Sequence, residues 1–442
     1  MLKKPSLIVL WVALLILCNA VMVCNASKGR EEFIPAEPEI TLPDSFKTFE
    51  PQTFGAKGDG FTDDGAAIQA AIDTAEVNSG GIVVLKDGTF LSSPLKMKSG
   101  VYLKVEASAL LKAVPYQDYP KRSIGFDSGE AWDYPNRECL EPFISANGVM
   151  NFGIIGDGTI EGNGERWWQE LRAAKGTDRK VKRPLLICFF NSRNIYIKGI
   201  RLINSPEWNL TVKNCENVAI RNVTIKNPSN SPNTDGINPS GSKNVYIDGC
   251  VVDTGDDNIA IKAHNGVTKN VFIKNCTFYF GHGLSIGSET YHGVQNVYVE
   301  NCKFVNTTTG IRLKSGRDRG NVIKNIHYRD ITMEDVGSAV VITAYYPKPA
   351  VQGDAAQKLT AFTPKFTDIS IVGLNATAQR EAGMIMGLPE QPIRGLKLKD
   401  VLISAPVGLK VRNAQIKASN TTIVVAQGPN YIAEENSDIV ER

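Results

Sequence analysis

Beyond its first 26 residues the 442-residue chain lacks any apolar stretch long enough to span a bilayer, so no internal membrane segment is expected. Neither sign of charge is in excess: 49 basic against 46 acidic side chains give a formal net charge of +3. That balance excludes nucleic-acid binding through a bulk positive field, so no nucleic-acid partner is expected. There is no Cys-x-x-Cys pair, which argues against a structural zinc site, and no metal or cofactor is expected. Disorder is excluded too, because 42% of the residues are hydrophobic and only 21% are charged.

What is present begins with a distinctive amino terminus. Lys3 and Lys4 precede an apolar run from Leu7 to Leu17, and small residues follow at Ala20 and Ala26. A positive region, a short apolar core and a small-residue site describe a signal peptide over 1–26. A retained membrane anchor is the alternative, for which the run is short, and Cys18 and Cys24 lack the context of a lipid-anchor site. Cleavage would remove two lysines and no acid, lowering the formal charge from +3 to +1. The mature protein is then expected to be secreted (extracellular, or periplasmic in a bacterium), free of the membrane and monomeric. Residues 27–50, rich in Glu and Pro from Arg30 to Glu50, read as an extended lead-in.

Six cysteines remain after residue 26: Cys139, Cys188, Cys215, Cys250, Cys276 and Cys302. An exported even set invites a disulfide framework. Cys250, Cys276 and Cys302, however, recur every 26 residues inside apolar strand patterns, which predicts a stack of buried thiols.

The same period organises much of the chain. It appears as Asn194-Ile-Tyr-Ile-Lys-Gly-Ile, Asn217-Val-Ala-Ile-Arg-Asn-Val and Asn244-Val-Tyr-Ile-Asp-Gly-Cys, and again from Asn270, Asn296 and Asn325. The leading asparagines are 23, 27, 26, 26 and 29 residues apart, with weaker copies near Asn151, Asp368 and Gly395. Each unit holds two or three short alternating strands separated by Asn, Gly or Asp, with no room for a helix. Such a unit cannot bury its apolar face alone, but stacked units share a continuous core. The fold class is therefore all-β: a right-handed parallel β-helix of about ten coils, forming one domain over 51–442. The asparagines would stack at a bend that favours left-handed backbone. Thr62 to Ala75 supplies a capping helix, with Thr62 or an adjacent aspartate as N-cap and Ile68 and Ile72 turned onto the first coil. Excursions at 115–142, 163–183 and 345–364 are candidate walls of a groove.

Charged groups gather at strand ends in four consecutive repeats: Asn233-Thr-Asp-Gly236, Gly255-Asp-Asp-Asn258, Gly281-His-Gly283 and Arg312-Leu-Lys314. Stacking would bring Asp235, Asp256 or Asp257, His282 and Arg312 within side-chain reach on one face. Clustered carboxylates raise one another's pKa values, a cost a solenoid has no structural need to bear. Hydrolysis of a glycosidic bond needs one protonated carboxyl to donate to the leaving oxygen and one carboxylate to prime water. Mutual repulsion creates that pair of roles. Arg312 and Lys314 would meet an anionic sugar. A Gly-Asp-Asp turn alone is ordinary turn chemistry, and Asp59, Asp63 and Asp64 have a sufficient explanation as capping groups. Trp167 and Trp168 would either stack on sugars or anchor the 163–183 excursion.

At these residues the chain resembles glycoside hydrolase family 28, the polygalacturonases, from about residue 52 to about residue 425. The resemblance opens at Phe54-Gly-Ala-Lys-Gly-Asp-Gly-Phe-Thr-Asp-Asp64 and runs through Gly158-Thr-Ile-Glu-Gly-Asn-Gly164, Trp167-Trp168 and Asn204-Ser-Pro-Glu-Trp208 to the four clusters above. It implies an inverting hydrolase of α-1,4-galacturonan, the acidic backbone of pectin. Asp256 would be the general acid, Asp235 and Asp257 would hold and deprotonate the attacking water, and His282 would tune or share the acid's proton. Arg312 and Lys314 would bind the substrate carboxylate, with Asn233 and a tyrosine of the pair Tyr345-Tyr346, taken as Tyr345, contributing positioning and sugar contact. Asn258 departs from the cysteine many members carry, Leu313 stands for Ile, and Trp208-Asn-Leu replaces an aromatic-histidine pattern. Alternatives are a rhamnogalacturonan or xylogalacturonan hydrolase, a calcium-dependent pectate lyase and a non-catalytic polysaccharide-binding β-helix. Endo and exo action are both open.

Overall fold

The computed structural model describes residues 46–121 and 139–441. The signal segment, most of the lead-in and the middle of the 115–142 excursion lie outside the described residues. Strands from Thr48 to Glu441 join one parallel sheet that winds on itself in three ladders. A coil runs through a strand of each ladder in turn, as in Arg193–Lys198, Arg201–Ile203 and Leu210–Lys213, and the next coil repeats the order. The architecture is the parallel β-helix that the repeat predicts, with a few more coils than ten. At the carboxyl end the strand segments of one coil fuse into long runs such as Val322–Thr343 and Lys365–Met386. There left-handed Asp330, Asp335 and Asp368 stand at bends where earlier coils use asparagine, and the asparagine repeat fades with the change.

The bend between ladders rests on asparagine. Asn194, Asn217, Asn244, Asn270, Asn296 and Asn325 all have φ between 54° and 59°, and so does Asn151. From Asn194 onward, each donates from Nδ2 to Oδ1 of the asparagine one coil earlier, at 2.8 to 3.1 Å. Left-handed backbone is costly for residues with a Cβ, and Asn offsets that cost by a local hydrogen bond. Asn270→Ala would break two rungs and keep the strained φ, so a destabilisation of about 2 kcal/mol is expected from urea unfolding. Asn270→Gly would lose the rungs without the strain and should cost less.

Inside, inward residues of every coil form one continuous apolar core. Cys215, Cys250, Cys276 and Cys302 are free, buried thiols within it; Cys188 is also a free, buried thiol, and Cys139 is buried. Helix α1 (Gly65–Val77) closes the amino-terminal end, with Ile68 and Ile72 fully buried. Its N-cap is Asp64, but that carboxylate accepts hydrogen bonds from the backbone N–H of Lys57 and Gly58, at 2.7 and 2.9 Å, and caps nothing. Asp63 takes over the first helical N–H, that of Gly65.

One element differs from expectation. The 163–183 excursion contains a helix, α2 (Glu165–Ala174), whose N-cap Gly164 makes no side-chain hydrogen bond. Trp167 is buried edge-on against Tyr116 and Tyr119, and Trp168 Nε1 donates to the Ser205 carbonyl at 3.0 Å. Both tryptophans anchor the excursion and neither presents a face to a sugar. No helix among the described residues is long and apolar enough to cross a membrane.

Candidate active site

The site grows from the third ladder. Ile237, Ile259, Leu284 and Ile311 stand opposite one another in successive coils and point into the core. Period-two alternation then turns Ala260, Ser285 and Arg312 outward on one row. Two residues before their core isoleucines, Asp235 and Asp257 occupy equivalent corners, and His282 occupies the same corner one coil on. Thus motifs 20 to 30 residues apart in the chain become side-chain neighbours about 5 Å apart per coil.

The motif residues between the charges are fasteners. Thr234 is fully buried; its hydroxyl meets Ser231 Oγ at 2.6 Å and accepts the N–H of Gly255 at 3.1 Å. Asn258 donates to the carbonyls of Val252 and Tyr279 and accepts the N–H of Gly283, tying coils at this corner. A Cβ on Gly283, which has φ of 81°, would stand 1.9 Å from the Thr309 carbonyl, so Gly-His-Gly is a steric requirement of the stack.

The three carboxylates have unlike surroundings. Asp257 is buried and accepts from Ser285 Oγ at 2.7 Å, Arg312 Nη1 at 3.0 Å and Lys314 Nζ at 2.7 Å. Burial works against its ionisation, but Lys314 and Arg312 outweigh it and hold its pKa well below the usual range. Asp235 is as buried, with Asn238 Nδ2 at 3.2 Å and Lys262 Nζ no nearer than 3.9 Å. Burial, reinforced by the charge of Asp256, pushes its pKa well above the usual carboxylate range. Asp256 is the most accessible of the three, its side chain 23% exposed. Burial raises its pKa too, but the hydrogen bond from His282 Nδ1 to Oδ1 at 2.9 Å prevails, and the net shift is downward.

The expected site residues therefore converge, all but Tyr345. Asn233 faces Asp256, its Nδ2 at 3.4 Å from Oδ2, while its Oδ1 is taken by buried Arg183 at 2.8 Å. That makes it a positioning group. Tyr345 does not reach the cations: it is buried, with its ring 5.5 Å from Arg317. The neighbour Tyr346 lies against them, its ring 5.3 Å from Lys314 Nζ and 5.9 Å from the Arg312 guanidinium. The chain leaves the strand at Thr343 and turns, so strand parity no longer tells which tyrosine faces out. Sequence reading also missed Ser285, Arg183 and the buried pair Lys262–Glu289, at 3.2 Å. Ser285 alone had a signal, as the residue one rung before Arg312 in the ladder.

Asp256, Asp257 and His282 offer donor atoms within 4.8 Å of one another, a geometry that a divalent cation also uses. Here Arg312 and Lys314 already supply positive charge to Asp257, and a cation placed among them would be repelled.

The chain matches the model of glycosyl hydrolases family 28 over residues 72–425. It is 32% identical to an endo-polygalacturonase of Pectobacterium parmentieri, covering 80% of this chain and 87% of that protein. It is 30% identical to a probable polygalacturonase of Vitis vinifera, over 79% of this chain and 73% of the other. Among solved structures, a Thermotoga maritima exopolygalacturonase superposes with a TM-score of 0.74 at 25% identity, covering 88% of this chain and 94% of that one. The polygalacturonase of Erwinia carotovora superposes with 0.67 at 29% identity, over 92% and 100%. These likenesses define a glycoside hydrolase on a parallel β-helix. The chain belongs to glycosyl hydrolases family 28.

Proposed function

We propose that this protein hydrolyses the α-1,4-galacturonosidic bonds of polygalacturonan by a single inverting displacement. The observation that carries the reading is the Asp257–Arg312–Lys314 group. It gives an outward-facing, cation-lined floor beside two further carboxylates, which suits a sugar bearing its own carboxylate. Endo-polygalacturonase relatives in Pectobacterium support the substrate.

In this reading Asp256 donates the proton to the leaving oxygen, because it alone of the three acids has appreciable exposure. Its proton is supplied along the 2.9 Å hydrogen bond from His282. Asp257, held ionised by its cations, orients and deprotonates water with Asp235. Arg312, Lys314 and Tyr346 seat the substrate. A second reading has its own observation: the raised pKa of Asp235 makes it the carboxyl that holds a proton. A galacturonide with an activated aryl leaving group separates the two, since its departure needs no acid. The variant that stays active on it, Asp256→Asn or Asp235→Asn, has lost the acid.

Residues 1–26 are proposed to direct export, and the 51–442 β-helix to act as a monomeric catalytic domain. Activity on polygalacturonate is expected to survive chelator and to release no ultraviolet-absorbing unsaturated product; loss with chelator together with such a product would point to a lyase. The size course of the products decides between monomer release from chain ends and internal cutting.

A further inference from the structure

On the amino-terminal side of Asp235 the same outer row of the third ladder continues into a cleft that the mechanism does not use. Lys213 pairs with Ser240, and Ser240 with Lys262, in successive coils. Two coils after Lys262, past Gly287, the row reaches Lys314. Lysine thus stands on alternate coils, about 10 Å apart at the backbone. The cleft between the first two is lined by Trp208, Thr211, Lys213, Asn238, Lys262 and Glu289, and holds about 20 Å³ of space. Lys262 Nζ lies 4.9 Å from the centre of the Trp208 ring.

Two polar atoms in this lining have no hydrogen-bond partner although they are buried: Thr211 Oγ1 and Asn238 Oδ1. Their residues are 1% and 0% exposed, and unmade hydrogen bonds at such depth are costly. The lining carries two lysines against one glutamate, two unsatisfied polar atoms and one aromatic face. That composition suits the carboxylate and adjacent hydroxyl of a uronic acid lying against an indole. The space admits a carboxylate or one water, so a sugar ring would rest across the mouth.

We propose that this cleft is a second uronate subsite, seating the carboxylate of a sugar on the amino-terminal side of the one held by Arg312 and Lys314. The substrate chain then lies along the solenoid axis, with uronates meeting Lys262 and Lys213 in one direction and Lys314 in the other. Asn238 joins this subsite to the catalytic group, because its Nδ2 donates to Asp235. The inference rests on the galacturonan reading.

Lys213 tests it, being remote from the reacting carboxylates. Lys213→Met should raise KM for polygalacturonate about tenfold with little change in kcat, the signature of lost binding that substrate and transition state share. Lys213→Arg should restore most of the affinity. The variant should also lose preference for unesterified over methyl-esterified chains. An unchanged KM, or a fall in kcat alone, would overturn the proposal and leave the cleft a structural water site. Should Lys213→Met fail to fold, Lys213→Gln decides by the same measurements. If the unaltered protein does not hydrolyse polygalacturonate, the functional reading fails first; calorimetric binding of trigalacturonate by Asp256→Asn, with and without Lys213→Met, still reads the subsite.

Discussion

Asp256→Asn is expected to lower kcat on polygalacturonate by about a thousandfold, the middle of the range that one positioned general acid contributes. Fold and substrate affinity should survive, because the amide keeps the shape of the carboxyl and the corner is fastened by Thr234 and Asn258. On an aryl galacturonide with a good leaving group the deficit should shrink to a small factor. A full rate on polygalacturonate would remove Asp256 from the chemistry. A deficit equally large on both substrates would assign the acid elsewhere, with Asp235 first in line because burial keeps its proton on.

The second large effect concerns the buried ion pair. Lys314 and Asp257 meet at 2.7 Å with side chains 6% and 3% exposed. Removing one member of such a pair strands the other charge, and typically costs about 3 to 5 kcal/mol. Lys314→Met should therefore lower the unfolding midpoint near neutral pH and abolish most activity, since Asp257 would no longer be held fully ionised. The sign with pH follows from the depressed carboxyl. Its stabilisation is present above the unfolded carboxylate pKa and is lost as pH falls through the lower folded value. The gap between the protein and Lys314→Met should accordingly narrow in acid. A gap that stays constant with pH would mean that the pair contributes through packing alone.

The solenoid was legible because one backbone requirement recurs. Asn244, Asn270 and Asn296 each solve the same left-handed bend, and evolution has few other residues with which to solve it. The charged motifs were legible because their charges lie in short contiguous runs that return once per coil. Contacts between separate excursions and coils were not. Arg183 reaches Asn233 across 50 residues, and Lys262 reaches Glu289 across 27, with no local pattern to announce either pair. Helix α2 escaped notice because Gly164 offers no capping side chain and its tryptophans read equally well as sugar platforms. Tyr345 and Tyr346 exchanged places for a related reason: alternation predicts facing only while the strand lasts.

The most direct test of the account is proton NMR of polygalacturonate during the first turnovers. Single displacement by water at the Asp235–Asp256–Asp257 trough predicts new reducing ends that appear first in the β form and later mutarotate. Reducing ends appearing first in the α form, or unsaturated ends in place of reducing ones, would contradict it.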